Sequence, residues 1–399
     1  MKFKAIVLFM TILLAGCNAA PVPEGEGVPA DEDNVSTTSP AADREETVTQ
    51  SGATDHYQTV IPYEISPSRG LTSTNMVSSY NIEAFEKGLF DISKNVFPTD
   101  EYVFREGQIF TEDMVRGFLD RRYTREEIED MSEEELADSN AFSNLGLNPS
   151  TEGEEDPEVI AEEAPLYLSH ILEQNYLLRD EEGDMTLDGI TIGLAMNSTH
   201  YYQTEEYGTT YSRSLDEDEV HEQGQAMANE ILDRLRANER YSDQTITFAI
   251  FIQSDGTAIT PGNFVSYAVA EGGEDELSSF TEVNEDYVLF PSSEAAEFNE
   301  QINNDYEVFN RNLGAYFDSF TTSVGYGRFI DGSLQTLSIE IPVEYTSHGE
   351  IIGLAQYVQN LLGDHFSGSA VEVSIADKSE TYALITKNES DEITTHIYE

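Results

Sequence analysis

Two uncharged runs separated by an amphipathic helix constrain the fold more than any other feature of this chain. The runs, residues 190–196 and 245–252, are apolar enough to be strands buried in a core. Between them, residues 218–238 place apolar side chains on one helical face: Val220, Met227, Ile231 and Leu235. A turn at 261–263 and a strand over 264–269 follow. The pattern predicts a strand–helix–strand unit extended by a hairpin.

The second half of the chain has the same order of elements. Its pattern predicts strands and helices in this sequence: strand 286–290, helix 293–320, strands 325–331 and 334–345, helix 350–362, and hairpin strands 370–375 and 381–386. Residue identity between the halves is slight, so the pattern indicates similar architecture and not a sequence repeat. We therefore expect an α+β protein with mixed or antiparallel sheets, two related strand–helix–strand subdomains and a helical N-terminal portion.

The N-terminal portion contains three predicted helices. One covers 82–96, a second begins at Thr111, and a third begins at Pro165. The face of the third consists of Leu168, Ile171, Leu172 and Tyr176, with His170 beside it. Residues 124–164 have few large apolar side chains and become almost wholly acidic, which predicts a solvated insertion. The predicted boundaries are a lipoprotein signal peptide at 1–16, a disordered acidic tether at 17–58 and a folded domain at 59–399, with possible subdomains 59–290 and 291–399.

The first seventeen residues have the layout of a bacterial lipoprotein signal. Lys2 and Lys4 precede an uncharged run over 5–14, and Leu14-Ala15-Gly16-Cys17 closes it. Cys17 is the one cysteine of the chain. A lipobox at this position predicts a diacylglyceryl group on Cys17 and cleavage before it. The alternative is an ordinary secretory signal with an incidental cysteine.

Lipidation of Cys17 would place the protein on the extracellular face of the cell membrane. One acyl chain anchors a protein only marginally, and a diacylglyceryl group supplies two. The run over 5–14 is too short to span a bilayer, which needs about 20 apolar residues. The tether would hold the domain away from the lipid surface.

The chain is strongly acidic, with 77 Asp and Glu against 20 Lys and Arg and a formal net charge of −57. This charge excludes nucleic acid as a natural partner, because nucleic acid is itself a polyanion. We interpret the acidity as a solubility adaptation of the surface, with cation binding as the alternative.

Catalytic, metal and cofactor motifs are absent from the sequence. It has no GxSxG elbow, no HExxH, no Walker A loop and no CxxC. The seven histidines include no pair at i, i+4 on a predicted helix. So many carboxylates are present that no particular pair indicates glycoside cleavage. We therefore predict no catalytic residue, no metal and no cofactor, and an enzymatic activity stays open only as an alternative.

One segment carries a binding hypothesis. Residues 200–211 follow a core strand as a loop rich in tyrosine, and aromatic and carboxylate side chains on loops line many sugar and peptide grooves. The candidate groove residues are His200, Tyr201, Tyr202, Glu206, Tyr207 and Tyr211. The alternative is that these tyrosines cover the core at a sheet end, with their hydroxyls in solvent.

Several segments resemble the CamS-type sex pheromone lipoproteins of low-GC Gram-positive bacteria. Besides the lipobox they are YNIEAFEKGL at 80–89, YLSHILEQNY at 167–176, GLAMN at 193–197, YYQTEEYG at 201–208, PGN at 261–263, LSIEIP at 337–342 and EIIGLAQYV at 350–358. They extend over nearly the whole chain beyond residue 60.

The resemblance implies that a short apolar peptide, released from the signal just before the cysteine, is recognised by donor cells and induces plasmid transfer. In this chain that peptide is residues 10–16. The family assigns no established enzymatic activity to the mature domain.

Three hypotheses for the folded domain remain. A module that binds wall glycan or peptide predicts a tyrosine-lined groove, and we rank it first. An interaction protein predicts a flat surface. A wall-associated enzyme, ranked last, predicts that carboxylates or His170 and His200 converge in a pocket with shifted pKa values.

Overall fold

The computed structural model of the protein describes residues 47–49, 56–132, 136, 143–316, 322–344 and 347–398. The predicted signal peptide at 1–16 and the proposed lipidation site Cys17 lie outside the described residues. So does the predicted tether at 17–58, apart from 47–49 and 56–58.

Sixteen strands are described, and they form two large sheets and a small hairpin. In chain order the strands are β1 Thr47–Val48, β2 Gln58–Ile61, β3 Tyr102–Glu106, β4 Leu168–Arg179, β5 Met185–Asn197, β6 Thr199–Gln203, β7 Thr210–Ser214, β8 Thr245–Gln253, β9 Asn263–Ala270, β10 Thr281–Glu282, β11 Glu285–Phe290, β12 Val324–Ile330, β13 Ser333–Pro342, β14 Val371–Ala376, β15 Thr381–Lys387 and β16 Ile393–Ile397. The first sheet has the order β1-β2-β3-β4-β5-β8-β9-β10 and the second the order β11 to β16, while β6 pairs with β7 alone.

Eight α-helices are described between these strands. They are α1 Arg69–Asn75, α2 Ser79–Lys94, α3 Glu112–Leu119, α4 Arg125–Asp130, α5 Pro157–Glu163, α6 Glu217–Arg236, α7 Ser293–Gly314 and α8 His348–Asp364. Side chains at the N-caps fix most of the starts, including Ser78 for α2, Asp216 for α6 and Ser347 for α8. Mixed sheets combined with these helices confirm the predicted α+β class.

The two sheets share one pairing pattern over six strands. From β3 through β4, β5, β8 and β9 to β10, the successive pairs are antiparallel, antiparallel, parallel, antiparallel and antiparallel. From β11 to β16 the series of pairings is the same. Each parallel pair is joined by a crossover helix, α6 in the first sheet and α8 in the second, since parallel neighbours need a long connection.

The first sheet is covered on both faces. Ile192, Leu194 and their neighbours on β5 and β8 pack against α6, while Ala195 and Phe251 on the opposite face pack under Phe85 of α2. Central parallel strands buried on both sides give continuous apolar runs, which explains why residues 190–196 and 245–252 lack polar alternation. Gly193 lies on the α2 face, where an added Cβ would come within 2.8 Å of the Phe85 ring.

The second sheet is covered by helices on one face. Apolar side chains of α7 and α8, such as Phe309 and Leu354, pack on Leu337, Ile339 and Val373. The opposite face carries half-exposed or exposed side chains, including Tyr326 and Val324. The outer face of the described part of the second sheet is therefore only partly covered, as is common for a sheet with antiparallel strands.

One predicted helix is wrong. The segment that begins at Pro165 forms strand β4, and its residues Leu168, Ile171, Leu172 and Tyr176 belong to the first sheet. Register shifts between Leu168 and His170 and between Tyr176 and Leu177 break the two-residue alternation of the strand. The strand is also buried on both faces, so its apolar spacing resembles that of a helix.

Part of the segment 124–164 packs on the domain. Leu147 is buried, and the Asn148 side chain accepts hydrogen bonds from the backbone N–H groups of Tyr167 and Leu168. It also donates to the carbonyls of Leu119 and Leu168. Asn148 thus joins this segment to the end of α3 and the start of β4.

Candidate ligand site along helix α2

The predicted loop at 200–211 is a two-stranded hairpin made by β6 and β7. Tyr202 and Tyr211 face each other across it with ring centroids 5.7 Å apart, and the His200 ring stacks on Tyr202 at 6.1 Å. The structure therefore brings His200, Tyr202 and Tyr211 together as one row of rings. Residues on alternate sides of a strand point to opposite faces, so Tyr201 is not part of the row.

The other candidate residues of this hairpin are separated from the row. Tyr207 is 93% exposed at a positive φ of 61°, and Glu206 beside it is exposed. The Tyr201 hydroxyl accepts a hydrogen bond from the Gly256 backbone N–H at 2.9 Å. None of the six candidate side chains lines any of the cavities described below.

The two candidate histidines have separate packing roles. His200 is buried, its Nδ1 accepts from the Leu166 N–H at 3.3 Å, and burial lowers its pKa, helped by two nearby arginines. His170 is 1% exposed, with Nε2 3.0 Å from the Thr72 hydroxyl and Nδ1 3.4 Å from the Asn75 amide nitrogen. Burial lowers the pKa of His170 to about 4, so it is neutral at physiological pH.

A cavity lies between α2 and the edge of the first sheet formed by β2 and β3. We name it the aromatic cavity. Its volume is about 530 Å³, and its lining residues are His56, Tyr57, Thr59, Tyr63, Glu83, Glu86, Lys87, Phe90, Asp91, Lys94 and Phe104. Its size and aromatic walls are typical of sites for small molecules or short peptide segments.

The sequence of α2 explains this position. Phe85, Leu89 and Ile92 are buried against the sheet, so the helix presents its next flank toward β2 and β3. Glu83, Glu86, Lys87, Phe90 and Lys94 occupy that flank at helical spacing. The opposite wall comes from the extended segment around Tyr57 and from Phe104 of β3.

Aromatic rings pack closely along the cavity. The Phe90 and Phe104 centroids are 4.7 Å apart, and Tyr57 lies 6.2 Å from Phe90 and 5.0 Å from the buried ring of Tyr176. The Tyr57 hydroxyl donates to the Phe97 carbonyl at 2.6 Å, which fixes the orientation of its ring. Burial raises the pKa of Tyr57, so its hydroxyl stays protonated.

Glu86 is the chemically distinctive group of the cavity. Its carboxyl is half-buried and accepts no hydrogen bond from the described residues. Burial raises the pKa of Glu86, the Arg69 guanidinium lowers it, and the Glu106 carboxylate raises it further. A carboxyl group with a raised pKa inside a cleft is typical of functional sites.

A smaller cavity of about 190 Å³ adjoins the aromatic cavity and shares Tyr63, Glu86, Phe90 and Phe104 with it. Apart from Glu86, its charged groups have partners. Glu106 accepts from the Tyr63 hydroxyl at 2.7 Å and the Arg69 guanidinium at 2.8 Å. This cavity extends the site along the helix.

Glu173 at the far end of this cavity is a structural carboxylate. It is 3% exposed and accepts backbone N–H bonds from Gln108, Ile109 and Phe110, the shortest at 2.7 Å. Burial raises its pKa and these hydrogen bonds lower it. Its lone pairs are already used by the loop after β3, so Glu86 remains the free carboxyl.

A third cavity, of about 130 Å³, lies between α2 and the outer face of the second sheet and shares Glu83 and Lys87 with the aromatic cavity. Beside it Arg328 donates to Asp91 of α2 at 2.9 Å and to Glu285 of β11 at 2.7 Å. Glu285, only 2% exposed, also accepts from the Phe264 N–H at 3.0 Å. This cluster ties α2 to both sheets and holds the helix in place.

Within the described ranges, no group of three or more His, Cys, Asp or Glu side chains could hold a metal ion. None of the helices described above combines the length and apolar character that a bilayer crossing requires.

One signal for the aromatic cavity is present in the sequence itself. Glu83, Glu86, Lys87 and Phe90 flank the apolar stripe of a helix that the periodicity predicts. A polar flank with one phenylalanine does not by itself indicate a cavity. Tyr57 and Tyr63 come from a different part of the chain, so the cavity becomes visible only through the packing of β2 and β3 against α2.

Comparison with known proteins identifies a family. The CamS sex pheromone cAM373 precursor family matches residues 63–392. No curated protein matches the chain.

Two solved structures are similar. The C-terminal domain of sex pheromone staph-cAM373 precursor from Staphylococcus aureus is 43% identical at a TM-score of 0.72, and the match covers 82% of this chain and 98% of that one. A sex pheromone precursor from Lactobacillus salivarius subsp. salivarius UCC118 is 29% identical at a TM-score of 0.76, covering 89% and 99%. Because the family match extends over most of its length, the chain belongs to the CamS family of sex pheromone precursors.

Proposed function

We propose that the chain is a lipid-anchored pheromone precursor whose folded domain binds a cell-wall ligand in the aromatic cavity. Cleavage before Cys17 would release residues 10–16 as the signalling peptide and leave a diacylglyceryl anchor on the cysteine. Membership of the CamS family supports the precursor role. The Leu14-Ala15-Gly16-Cys17 motif supports the anchor and the extracellular location.

The precursor role is tested by mass spectrometry. We expect the membrane-extracted protein to begin at a diacylglyceryl Cys17, and the Cys17→Ala variant to lose the lipid and the cleavage. We also expect a peptide that ends at Gly16 in the culture medium, and plasmid transfer when donor cells receive the synthetic peptide. A chain cut elsewhere and free of lipid would contradict the proposal.

For the folded domain, one observation carries the binding proposal. The aromatic cavity, of about 530 Å³, combines aromatic walls with a half-buried carboxyl that has no partner among the described residues. Such a combination suits selective binding, because apolar walls supply affinity and a few polar groups supply specificity. The ligand class remains wall glycan or wall peptide, as the sequence predicts, but the proposed position is α2 and not the β6–β7 hairpin.

Binding is tested with soluble muropeptides released from a Gram-positive cell wall by a muramidase. We expect saturable binding to the full chain in calorimetry, weakened in Tyr63→Ala, which removes an exposed wall of the cavity. Tyr207→Ala on the hairpin is the matched control, because Tyr207 is an exposed tyrosine outside the cavity. Weaker binding in Tyr207→Ala together with normal binding in Tyr63→Ala would place the site on the hairpin instead.

A second candidate function is hydrolysis of wall glycan or peptide, and the raised pKa of Glu86 favours it. A carboxyl group whose pKa is raised by burial holds its proton more readily than a free carboxyl does, which is what a general acid requires. The test is release of soluble fragments from purified walls. Release that disappears in Glu86→Gln would establish an enzyme, whereas binding without release supports the binding module.

A further inference from the structure

We infer that the aromatic cavity recognises an ammonium group, held between its aromatic rings and the carboxylate of Glu86. This inference rests on the proposed binding function and names the chemistry of the ligand. Three observations support it: the aromatic walls of the cavity, the unpaired charges in its lining, and the ion pairs that neutralise the other charges nearby.

The walls of the cavity contain several aromatic rings, and the faces of such rings attract cations. Tyr57, Phe90 and Phe104 form a continuous group of rings, with Phe90 4.7 Å from Phe104 and 6.2 Å from Tyr57. Tyr63 adds a half-exposed ring on the solvent side, and its hydroxyl is held by Glu106. Ammonium groups are attracted to ring faces within about 6 Å of the centroid, and several rings around one cation form an aromatic cage.

Most charges along this flank of α2 have a partner. Arg69 pairs with Glu106 at 2.8 Å, and Lys94 pairs with Asp91 at 2.9 Å. Arg69 lies near Glu86, but it pairs with Glu106 and makes no hydrogen bond to Glu86. The Glu86 carboxyl therefore lacks a counter-ion in contact among the described residues.

The unpaired charges that remain in the cavity lining favour a cation. They are the negative charges of Glu83 and Glu86 and the positive charge of Lys87. The Lys87 side chain is exposed, one helical turn after Glu83. The lining therefore has an excess of negative charge. The whole chain, at −57, adds a field that concentrates cations and repels anions.

Other ligand classes fit these groups less well. A neutral apolar ligand would cover Glu86 without pairing it, and a buried unpaired carboxylate is costly. An anionic ligand would meet Glu83 and Glu86 directly. An ammonium group supplies hydrogen bonds and charge to Glu86 and π contacts to the rings, and its positive charge would offset the desolvation that raises the pKa of this carboxyl.

The ammonium group could come from two sources. One is the side chain of a diamino acid in a wall peptide, which fits the proposed ligand class. The other is a small free amine or quaternary ammonium compound. The shared chemistry is the cation, and separate probes distinguish the sources.

The experiment is calorimetric titration of the full chain with three probes. They are Nα-acetyl-lysine methylamide, its neutral counterpart Nα-acetyl-norleucine methylamide, and tetramethylammonium. We expect a cationic probe to bind at least about tenfold more tightly than the norleucine probe. One charge-assisted contact together with contacts to the ring faces is sufficient for such a difference in affinity. Tight binding of the lysine probe identifies a side-chain source, and tight binding of tetramethylammonium identifies a free cation.

Three variants locate the effect. Glu86→Gln keeps the shape of the side chain and removes its charge, and we expect it to abolish the advantage of the cationic probe. Phe90→Leu keeps an apolar side chain but removes the aromatic ring, and we expect it to reduce the affinity advantage of the cationic probe without abolishing it. Glu206→Gln removes an exposed carboxylate on the hairpin and controls for the general acidity of the chain. Thermal unfolding of each variant verifies that it folds.

The results separate this inference from the proposed function. Equal binding of the lysine and norleucine probes, or a cation preference that survives in Glu86→Gln, would overturn the inference. Muropeptides with acetylated amino groups provide the decisive comparison. If they bind as tightly as untreated muropeptides, the ammonium inference fails and the binding function stands. If neither form binds, the binding function itself fails.

Discussion

The two large sheets share one pairing pattern but differ in what covers them. In the first sheet β5 and β8 are buried on both faces, by α6 on one side and α2 on the other. In the second sheet α7 and α8 lie on one face, and Tyr326 and Val324 on the other face are half-exposed. Helix α2 packs its apolar face on the first sheet and meets the second sheet along one side only, at the third cavity and the Arg328–Asp91 pair.

This difference indicates where the domain keeps its specialised surface. The three cavities described above are lined by residues of α2, while two others, of about 230 and 300 Å³, lie beside α3 and on the second sheet. A repeated sheet topology supplies the scaffold, and helix α2 creates clefts along its length. The proposed site thus lies along the helix whose apolar face covers the first sheet.

The largest effect should come from removing the contact between α2 and the first sheet. Phe85 is fully buried, with its ring 5.2 Å from Phe251 and 5.8 Å from Phe264. We expect Phe85→Ala to lower the free energy of unfolding by about 3–5 kcal/mol, because it leaves a large cavity. The measurement is urea unfolding followed by circular dichroism.

Val324→Ala on the open face of the second sheet is the matched control. Val324 is 47% exposed, and we expect a change within about 0.5 kcal/mol. A loss at Val324 as large as that at Phe85 would mean that the outer face of the second sheet is covered as well, and the contrast between the sheets would disappear.

The cluster that joins α2 to the second sheet should have the next largest effect. Arg328→Met leaves the buried carboxylate of Glu285 without its cation, and we expect a loss of about 3 kcal/mol in the free energy of unfolding. The double variant Glu285→Gln/Arg328→Met should lose less than the sum of the two single variants, because the orphaned charge is gone. Arg116→Met, which breaks an exposed pair with Glu112, should cost less than about 0.5 kcal/mol.

The first sheet should also make the protein sensitive to acid through His170. Its pKa is lowered from 6.5 to about 4 in the folded protein, so the unfolded chain binds the proton more tightly. The stability that the neutral, buried His170 contributes is complete above pH 6.5, and it is lost as the pH falls from 6.5 to about 4. Over that window we expect a loss of about 3 kcal/mol in the free energy of unfolding.

The measurement is urea unfolding at a series of pH values for the wild type, His170→Gln and His396→Gln. His396 is an exposed residue of the second sheet, so its variant should keep the slope of the wild type. His170→Gln should flatten the slope between pH 6.5 and 4. Equal slopes in all three proteins would contradict the assignment of a buried, neutral His170.

The sequence is sufficient to predict the elements whose periodicity is regular. Helix α2 is expected over 82–96 and covers Ser79–Lys94, and the apolar runs of β5 and β8 are expected as core strands. In these segments local pattern and tertiary burial agree, since the same side chains face the core in both descriptions. The α+β class follows from them.

The prediction is wrong where tertiary burial removes the local pattern. Strand β4 is buried on both faces and contains two register shifts, so it has no two-residue alternation to detect. The tyrosines of β6 and β7 suggest a loop because short paired strands on a surface carry polar and aromatic residues on both faces. Neither feature could be recognised without the neighbouring strands.

The aromatic cavity could not be predicted for a different reason. The chain has 77 acidic residues, and no feature of the sequence around Glu86 distinguishes it from the others. Its distinction arises because Phe104 of β3 and Tyr57 before β2 are brought against α2 by strand pairing over long sequence distances. Desolvation by these neighbours raises its pKa, and desolvation is a property of the folded state alone.

The position of the ligand site is tested most directly by tryptophan fluorescence. The chain contains no tryptophan, so Phe90→Trp places a single indole in the aromatic cavity and Tyr202→Trp places one in the hairpin. Each variant is titrated with the muropeptides described above. We expect a saturable change of emission in Phe90→Trp and a flat response in Tyr202→Trp. A saturable change in Tyr202→Trp with none in Phe90→Trp would contradict the assignment of the site to helix α2.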